Sequence, residues 1–226
     1  MKYLIIIRHG DARRDDVTLT DAQRPLSPLG RRQTLAAATD FSAPGPPVDA
    51  VVSSPAKRAL DTADVWMETL RISGEWLRIQ EDVYEAERID LLRIIQQLDD
   101  ACSTVLLVGH NPGVSGLLHH LVGRGVDSMA VSSYAVIAMD VDRWRNTALR
   151  HSELVHYYTP PADAKAGSLW KRFDFWRKQR IQKVELFIAF LIGLIVILCI
   201  MIAMFTLRPA SGSGAAPSGA GMIDSE

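Results

Sequence analysis

Arg8 and His9 stand side by side directly after four apolar residues, and they are the pair in this chain best suited to do chemistry. A guanidinium is a planar fork of N–H donors that matches phosphate oxygens. A neutral imidazole can attack phosphorus and carry the phosphoryl group covalently. The pair therefore indicates phosphoryl transfer through a phosphohistidine on the protein. The alternative is a solvated arginine and histidine at the end of a strand.

Three apolar runs predict the strands that would position such a site. Residues 4–7 are typical of a buried central strand, and residues 48–53 and 104–109 predict two more. In α/β proteins, ligands bind at the carboxyl ends of parallel strands. Arg58 lies just beyond the second of these strands and His110 directly follows the third. The pattern predicts a cationic pocket in which two arginines and two histidines surround a phosphate.

The segment that carries Arg58 has the pattern of a helix start. Ser54 is a good N-cap and Pro55 suits the first helical position, so Arg58 falls in the first turn, where backbone N–H groups also point outward. An ordinary amphipathic helix with a solvated Arg58 is the alternative.

Other segments alternate between helix and strand. The spacing of apolar and capping residues predicts helices over 29–39, 87–99 and 114–122, and late strands over 135–141 and 149–157. This alternation predicts an α/β fold, a three-layer sandwich with a mostly parallel sheet.

Five sequence elements together resemble the histidine phosphatase superfamily, the enzymes related to phosphoglycerate mutase. The resemblance covers residues 1 to about 158, and its elements are Arg8-His9-Gly10-Asp11-Ala12, Arg24-Pro25-Leu26-Ser27 with Gly30-Arg31, Ser53-Ser54-Pro55 with Arg58-Ala59 and Thr62-Ala63, Tyr84-Glu85-Ala86, and Gly109-His110-Asn111-Pro112. The chain is most similar to the short phosphohistidine phosphatases of the SixA type. The resemblance implies a phosphoglycerate-mutase-like fold.

The resemblance also implies a role for each pocket residue. His9 would take the phosphoryl group, while Arg8 and Arg58 would hold its oxygens. His110 would donate a hydrogen bond to those oxygens, helped by the backbone N–H of Asn111. No metal or cofactor is expected, because the arginines supply the positive charge and the sequence has no motif with metal-ligand spacing.

The general acid is the open question in this pattern. Glu85 is the leading candidate, Glu87 is the next, and Asp11 and Asp16 are further alternatives. Glu85 could equally be a solvated residue before a helix. A phosphomonoester expels a poor alkoxide leaving group and benefits from a proton donor, whereas phosphohistidine expels an imidazole that can already carry a proton near neutral pH. A weak acid position therefore favours phosphohistidine as the substrate.

A second feature lies towards the other end of the chain. Residues 186–207 are 22 residues without a charge, which is enough for a helix to cross a bilayer core of about 30 Å. Lys and Arg crowd the segment before this run, so the positive-inside rule predicts a single-pass, C-terminally anchored protein with a cytoplasmic catalytic domain. The predicted divisions are a phosphatase domain (1–159), a linker (160–170), a basic-aromatic juxtamembrane segment (171–185), a transmembrane helix (186–207) and a disordered tail (208–226).

Charge and cysteine content narrow the range of partners. Residues 1–160 carry 17 basic and 21 acidic residues, a net charge of −4, which argues against nucleic acid as a partner of this domain. Cys102 and Cys199 predict no disulfide, since one of them lies in the predicted membrane span. The predicted function is a metal-independent phosphatase that acts on protein phosphohistidine. The alternatives are a phosphomonoesterase for a small or lipid-linked phosphate at the membrane, and a non-catalytic phosphate-binding module.

Overall fold

The computed structural model describes residues 1–42, 45–123, 128–147 and 152–162. Within these ranges, one six-stranded sheet lies between α-helices. The strands are β1 (Lys2–Arg8), β2 (Ala50–Ser53), β3 (Leu77–Ile79), β4 (Thr104–Gly109), β5 (Tyr134–Met139) and β6 (Ser152–Tyr158). The α-helices are α1 (Pro28–Ser42), α2 (Lys57–Leu70), α3 (Arg88–Gln96) and α4 (Gly113–Val122). Short 3₁₀ helices occupy Asp21–Gln23, Gly74–Trp76, Glu81–Val83 and Trp144–Asn146.

The strand order in the sheet is β3-β2-β4-β1-β5-β6. Strands β1 to β4 are parallel to one another, so the predicted central strands and their shared carboxyl edge are confirmed. Strand β5 pairs antiparallel with β1, and β6 pairs antiparallel with β5, so the sheet is mixed. The prediction of a mostly parallel sheet is therefore corrected at β5.

The chain segment before β5 explains this reversal. Met129 accepts a hydrogen bond from the side chain of Arg8, and Ser133 accepts one from the backbone N–H of the same arginine. These contacts show that the chain has already returned to the carboxyl edge of β1 before it enters β5. Tyr134 then pairs with Ile7 at that edge, and β5 runs back across the sheet in the opposite direction.

Alternating residues of the central strands fill two separate cores. On one face, Leu4 and Ile6 pack with residues of α3 and α4. On the other face, Ile5 and Ile7 pack with residues of α1 and α2. All four side chains of this run are fully buried, as expected for a strand covered on both faces. The two cores give the predicted three-layer arrangement, with helices on both sides of the sheet.

Two glycines allow elements at the carboxyl edge of the sheet to pack unusually close. A Cβ on Gly30 would collide with the backbone of Asp11, so this residue lets the first turn of α1 lie against the segment after β1. A Cβ on Gly113 would collide with the carbonyl oxygen of Ala86, so this residue lets the start of α4 lie against the segment before α3. The first contact lies just after β1 and the second just after β4.

Several predicted boundaries move by a few residues. Ser27 does open α1, since its Oγ accepts the N–H of Gly30 at 3.0 Å, but the helix continues through Ser42 instead of ending at residue 39. Helix α4 ends at Gly123 as predicted. Strand β3 was not predicted, because it is three residues long and mostly exposed.

The predicted membrane span lies outside the described residues, as do the juxtamembrane segment, the tail and all but the first three residues of the predicted linker. In the part of the chain that is described, none of the helices combines the length and the apolar character needed to cross a bilayer.

Candidate active site

His9 lies at the carboxyl edge of the sheet, where the ends of β1 and β4 meet. Its backbone N–H donates to the carbonyl of Gly109 at 3.1 Å, which fixes it beside the second strand end. Its Nδ1 lies 2.7 Å from the carbonyl oxygen of Gly10. A carbonyl can only accept, so Nδ1 carries the ring proton and Nε2 keeps its lone pair. The Nε–H of Arg58 donates to this Nε2 at 3.3 Å. The fold thus places the unprotonated nitrogen of His9 against the arginine.

His110 follows β4 and faces His9. The two ring centroids are 4.8 Å apart, with the planes tilted by 53°. The ring of His110 is 8% exposed, and its Nε2 lies 2.7 Å from the hydroxyl oxygen of Ser54. Its Nδ1 is buried and has no hydrogen-bond partner within the described residues. A hydroxyl proton from Ser54 to Nε2 would leave Nδ1–H as a donor available to a bound oxyanion.

Arg58 is the second residue of α2 and is also 8% exposed. The predicted helix start at Ser54 and Pro55 is wrong, because α2 begins at Lys57 with Ala56 as its N-cap. Ser54 is still held in the sheet, where its N–H donates to the carbonyl of Val108 at 3.2 Å. Its Oγ accepts the backbone N–H of Ala56 at 3.3 Å and also contacts His110 Nε2.

Thr62 connects the helix that carries Arg58 with the segment that carries His9. Its hydroxyl donates to the carbonyl of Arg58 at 2.7 Å and accepts the backbone N–H of Gly10 at 3.0 Å. This buried bridge holds the start of α2 against the end of β1. The Thr62 hydroxyl therefore ties the backbone that carries the Arg58 guanidinium to the backbone next to the His9 imidazole.

Arg8, the last residue of β1, is held from the other side of the site. Its Nη1 donates to the carbonyl oxygen of Met129 at 2.6 Å, while its buried Nε has no hydrogen-bond partner within the described residues. The side-chain amide of Asn111 donates to the same carbonyl at 3.0 Å, and the hydroxyl of Ser115 donates to Asn111 Oδ1 at 2.7 Å. The Asn111 side chain therefore holds the segment that positions Arg8. The expected role of its backbone N–H stays a prediction.

Burial and charge keep both histidines neutral. Desolvation is the main cause that lowers the pKa of His9, to about 4; the Gly10 carbonyl opposes this shift and the charges of Arg58 and Arg8 add to it. Desolvation likewise lowers the pKa of His110 to about 3, with further contributions from His9 and Arg58. At neutral pH, the site therefore combines two cationic guanidiniums with two uncharged imidazoles.

Four carboxylates named from the sequence as proton donors have other surroundings in the structure. Glu85 is exposed, with a left-handed backbone (φ 54°), and it lines a groove with Glu81 and Asp90. Glu87 is the N-cap of α3, and its N–H donates to Asp90 at 3.2 Å. Asp11 accepts the hydroxyl of Ser27 at 2.6 Å.

Asp16 is the fourth of these candidates, and it is engaged by the Thr18 side chain and backbone in an exposed turn. These contacts give Glu87, Asp11 and Asp16 local structural roles. They leave Glu85 as an exposed side chain next to Tyr84.

Asp21, which the sequence did not single out, is the carboxylate that contacts the pocket. Its carbonyl oxygen accepts from Arg58 Nη1 at 2.5 Å, and its Oδ2 accepts from Arg58 Nη2 at 2.7 Å. The Tyr84 hydroxyl donates to the same Oδ2 at 3.1 Å, and the Tyr84 ring meets His110 edge-on at 5.5 Å. The capping box of Thr20 and Gln23 could have located the 3₁₀ helix around Asp21, but no local pattern signals a contact with a residue 37 positions away.

Two arginines and two histidines thus meet at the carboxyl edge of a three-layer α/β fold, in a pocket that suits a phosphate group, and comparisons with known proteins agree with a phosphatase. The family model of the histidine phosphatase superfamily (branch 1) matches residues 4–87. An uncharacterized protein of Mycobacterium leprae is 29% identical over 153 residues, which is 63% of this chain and 90% of that protein.

Solved structures give the same fold. A protein assigned as phosphohistidine phosphatase SixA from Nakamurella multipartitia has a TM-score of 0.61 at 26% identity, covering 70% of this chain and 96% of that one. Its counterpart from Agrobacterium tumefaciens has a TM-score of 0.61 at 21% identity, covering 70% and 98%. The protein histidine phosphatase SixA complexed with tungstate has a TM-score of 0.60 at 21% identity, covering 70% and 97%.

The protein is a phosphatase, and residues 4–87 match the histidine phosphatase superfamily. These comparisons support the resemblance drawn from the sequence, at the level of that superfamily and of SixA-like structural neighbours.

Proposed function

We propose that the protein is a phosphohistidine phosphatase that works through a phosphohistidine formed on His9. The observation that carries this proposal is the fixed tautomer of His9, whose Nε2 lone pair lies beside Arg58 in a pocket that keeps the ring uncharged. An uncharged imidazole with an unprotonated ring nitrogen is the form that attacks phosphorus.

In the first step, His9 Nε2 forms a bond to phosphorus as the bond between phosphorus and the substrate imidazole breaks. The electron pair of the broken bond stays on the leaving nitrogen. Arg8 and Arg58 hold the equatorial phosphoryl oxygens, and His110 donates a further hydrogen bond to them. His9 Nδ1 keeps its proton throughout and donates it in a hydrogen bond to the carbonyl of Gly10, which supports the positive charge that the phosphorylated ring carries.

In the second step, a water molecule attacks the same phosphorus atom. The bond to His9 Nε2 breaks, its electron pair returns to that nitrogen, and the water gives up a proton to solvent or to the departing phosphate. The products are inorganic phosphate and the neutral His9 of the resting enzyme.

The carboxylates favour phosphohistidine over a phosphomonoester. Although burial raises the pKa of Asp21, the hydrogen bond and charge of Arg58 outweigh it and hold this pKa below its ordinary value, so Asp21 is a poor proton donor at neutral pH. Glu85 is exposed, and the contact with His110 is made by its neighbour Tyr84. An imidazole that already carries its proton leaves without an acid, whereas an alkoxide does not.

The test compares the purified full-length protein with its His9→Ala variant on a phosphohistidine-bearing protein and on a panel of phosphomonoesters. We expect the higher kcat/KM on phosphohistidine, an acid-labile and base-stable phosphoenzyme, and the loss of both in His9→Ala. His119→Ala removes an exposed histidine of α4 and is the matched control. A preference for monoesters would favour a small or lipid-linked phosphate, and binding of phosphate without turnover would favour a binding module.

We also propose that residues 186–207 anchor the protein in a membrane with the phosphatase domain in the cytoplasm. The support is the 22-residue uncharged run and the basic residues before it. Strand β6 ends at Tyr158, which pairs with Tyr134 beside the end of β1, so the last strand described ends at the edge of the sheet that holds the pocket. Resistance of the protein to alkaline carbonate extraction from membranes would support the anchor, and recovery in the soluble fraction would contradict it.

A further inference from the structure

The side of the pocket nearest solvent carries a carboxylate on an exposed segment. Asp21 is 54% exposed at its side chain, whereas the Arg58 side chain that it binds is 10% exposed. The ion pair therefore runs from the buried pocket to its mouth. Tyr84, half-buried, lies beside Asp21 and against His110, so these two residues form part of the same mouth.

The geometry of phosphoryl transfer places the leaving group at this mouth. The attacking and leaving atoms lie roughly in line on opposite sides of phosphorus. His9 attacks from the sheet side, where its backbone is bonded to Gly109, so the leaving group points away from the sheet. The charge of Asp21 acts on both pocket histidines, raising the pKa of each against the stronger effect of desolvation. Asp21 is thus close enough to influence a group bound there.

Neighbouring residues extend the negative charge of the mouth. Beyond Tyr84, a groove of about 470 Å³ is lined by several acidic side chains, with Arg93 as the basic one. The acidic residues of this lining are Glu81, Asp82, Glu85 and Asp90. On the opposite side, Arg24 lies 3.5 Å from Asp21 Oδ1 and partly offsets its charge. The pocket therefore combines a cationic floor for the phosphoryl group with a more acidic side at the Tyr84 end.

We propose that Asp21 determines which leaving group the enzyme accepts, by receiving a hydrogen bond from a cationic N–H and by disfavouring anionic substrates. The protonated imidazole of phosphohistidine offers such an N–H on the ring nitrogen that is not bonded to phosphorus. A second carboxylate close to the phosphoryl group would instead meet a like charge. This assignment deepens the proposed function and rests on it for the natural substrate.

The test uses the full-length Asp21→Asn variant, which removes the charge and keeps an acceptor for Arg58. The substrates are a phosphohistidine-bearing protein and two small phosphomonoesters, one with an ammonium group and one with a carboxylate near the ester. We expect kcat/KM to fall about threefold to tenfold for the phosphohistidine-bearing protein and for the monoester with the ammonium group. For the monoester with the carboxylate, kcat/KM should rise by a similar factor, as partly screened charges predict. Glu75→Gln, at the opposite edge of the sheet, is the control for loss of one negative charge.

Two further measurements separate recognition from a structural effect. Inhibition by inorganic phosphate should stay as strong in Asp21→Asn or become stronger, and Asp21→Glu should keep the wild-type order of the three substrates. An equal fall on all substrates together with weaker phosphate inhibition would overturn the proposal, since Asp21 would then only position Arg58. No change on any substrate would also overturn it.

A failure of the proposed role of Asp21 can be told apart from a failure of the proposed substrate. If the wild-type enzyme does not hydrolyse phosphohistidine, the proposed substrate is wrong. Even then, a fall of kcat/KM for the ammonium monoester together with a rise for the carboxylate monoester in Asp21→Asn would support the role of Asp21.

Discussion

The inner pocket and the rim of this site are built in different ways. The inner pocket (Arg8, His9, Arg58 and His110) projects from buried strand ends and a helix start, and hydrogen bonds from backbone N–H groups to the Gly109 carbonyl and the buried Thr62 hydroxyl fix it. The rim (Asp21, Tyr84 and Glu85) lies on two short 3₁₀ helices and the residues beside them; Asp21 and Tyr84 meet through their side chains, and Glu85 is exposed. Rigid elements suit chemistry that every substrate shares, while loops suit the choice among substrates.

The largest expected effect is the loss of a charge from the inner pocket. Arg58→Ala should lower kcat/KM by roughly 10²–10³-fold on any substrate, because a fixed donor to the phosphoryl oxygens is removed. Steady-state kinetics measures this, with Arg78→Ala on the exposed edge strand β3 as the control. A fall of less than tenfold would show that the charge clamp depends mainly on Arg8.

A second expected effect concerns pH. Because the pKa of His9 is lowered to about 4, about nine-tenths of the ring stays neutral at pH 5, whereas a histidine with an ordinary pKa of 6.5 would be about 3% neutral. At pH 5 the lowered pKa therefore raises the neutral, nucleophilic fraction of His9 roughly thirtyfold. NMR titration of the imidazole signals, assigned with His9→Asn and His110→Gln, should give both rings pKa values below 5. A value above 6 for either ring would contradict the buried, uncharged pocket.

The same shifts give the sign of the dependence of stability on pH. Below pH 6.5 the unfolded chain takes up protons on these two histidines, while the folded protein leaves them neutral until about pH 4 for His9 and about pH 3 for His110. Both pKa values are depressed by folding, so their contribution to the free energy of unfolding is present above pH 6.5 and is lost as the pH falls towards 3.

A smaller effect is expected at the serine behind His110. Ser54→Ala removes the 2.7 Å contact with His110 Nε2 and should lower kcat/KM about fivefold to tenfold, the usual size of one buried hydrogen bond. Ser53→Ala is the matched control, because Ser53 is equally buried and its hydroxyl bonds to a backbone carbonyl. Equal losses of activity in both variants would show a general effect of packing instead of an effect on the His110 ring.

The same contrast between pocket and rim explains what the sequence could and could not predict. Apolar runs of four to six residues predict buried strands strongly, so the places of His9 and His110 at neighbouring strand ends followed directly. Ser54 has the chemistry of an N-cap and does accept the N–H of Ala56, but the sequence does not reveal its tertiary contact with His110. Sequence patterns describe neighbours along the chain, and these partners come from other elements.

Asp21 and β5 illustrate the same limit. Asp21 meets Arg58 across 37 residues through a segment with a weak helical signal, so no periodicity could reveal the pair. The reversal of β5 depends on the path taken by the chain around Met129, which no local pattern records. Local physics determines elements, while the direction in which a connection returns to the sheet depends on long-range contacts.

The smallest expected effect tests the rim from the opposite direction. Glu85→Gln should change kcat/KM on phosphohistidine by less than about twofold, because the side chain is exposed and the imidazole leaving group needs no proton from it. A true general acid would instead cost about 10²–10⁴-fold. Glu81→Gln, on the same groove, controls for loss of charge. A large loss of activity in Glu85→Gln that is confined to phosphomonoesters would mean that the rim closes over those substrates and brings Glu85 to the ester oxygen. One inner pocket would then serve two kinds of leaving group, each through a different carboxylate of the rim.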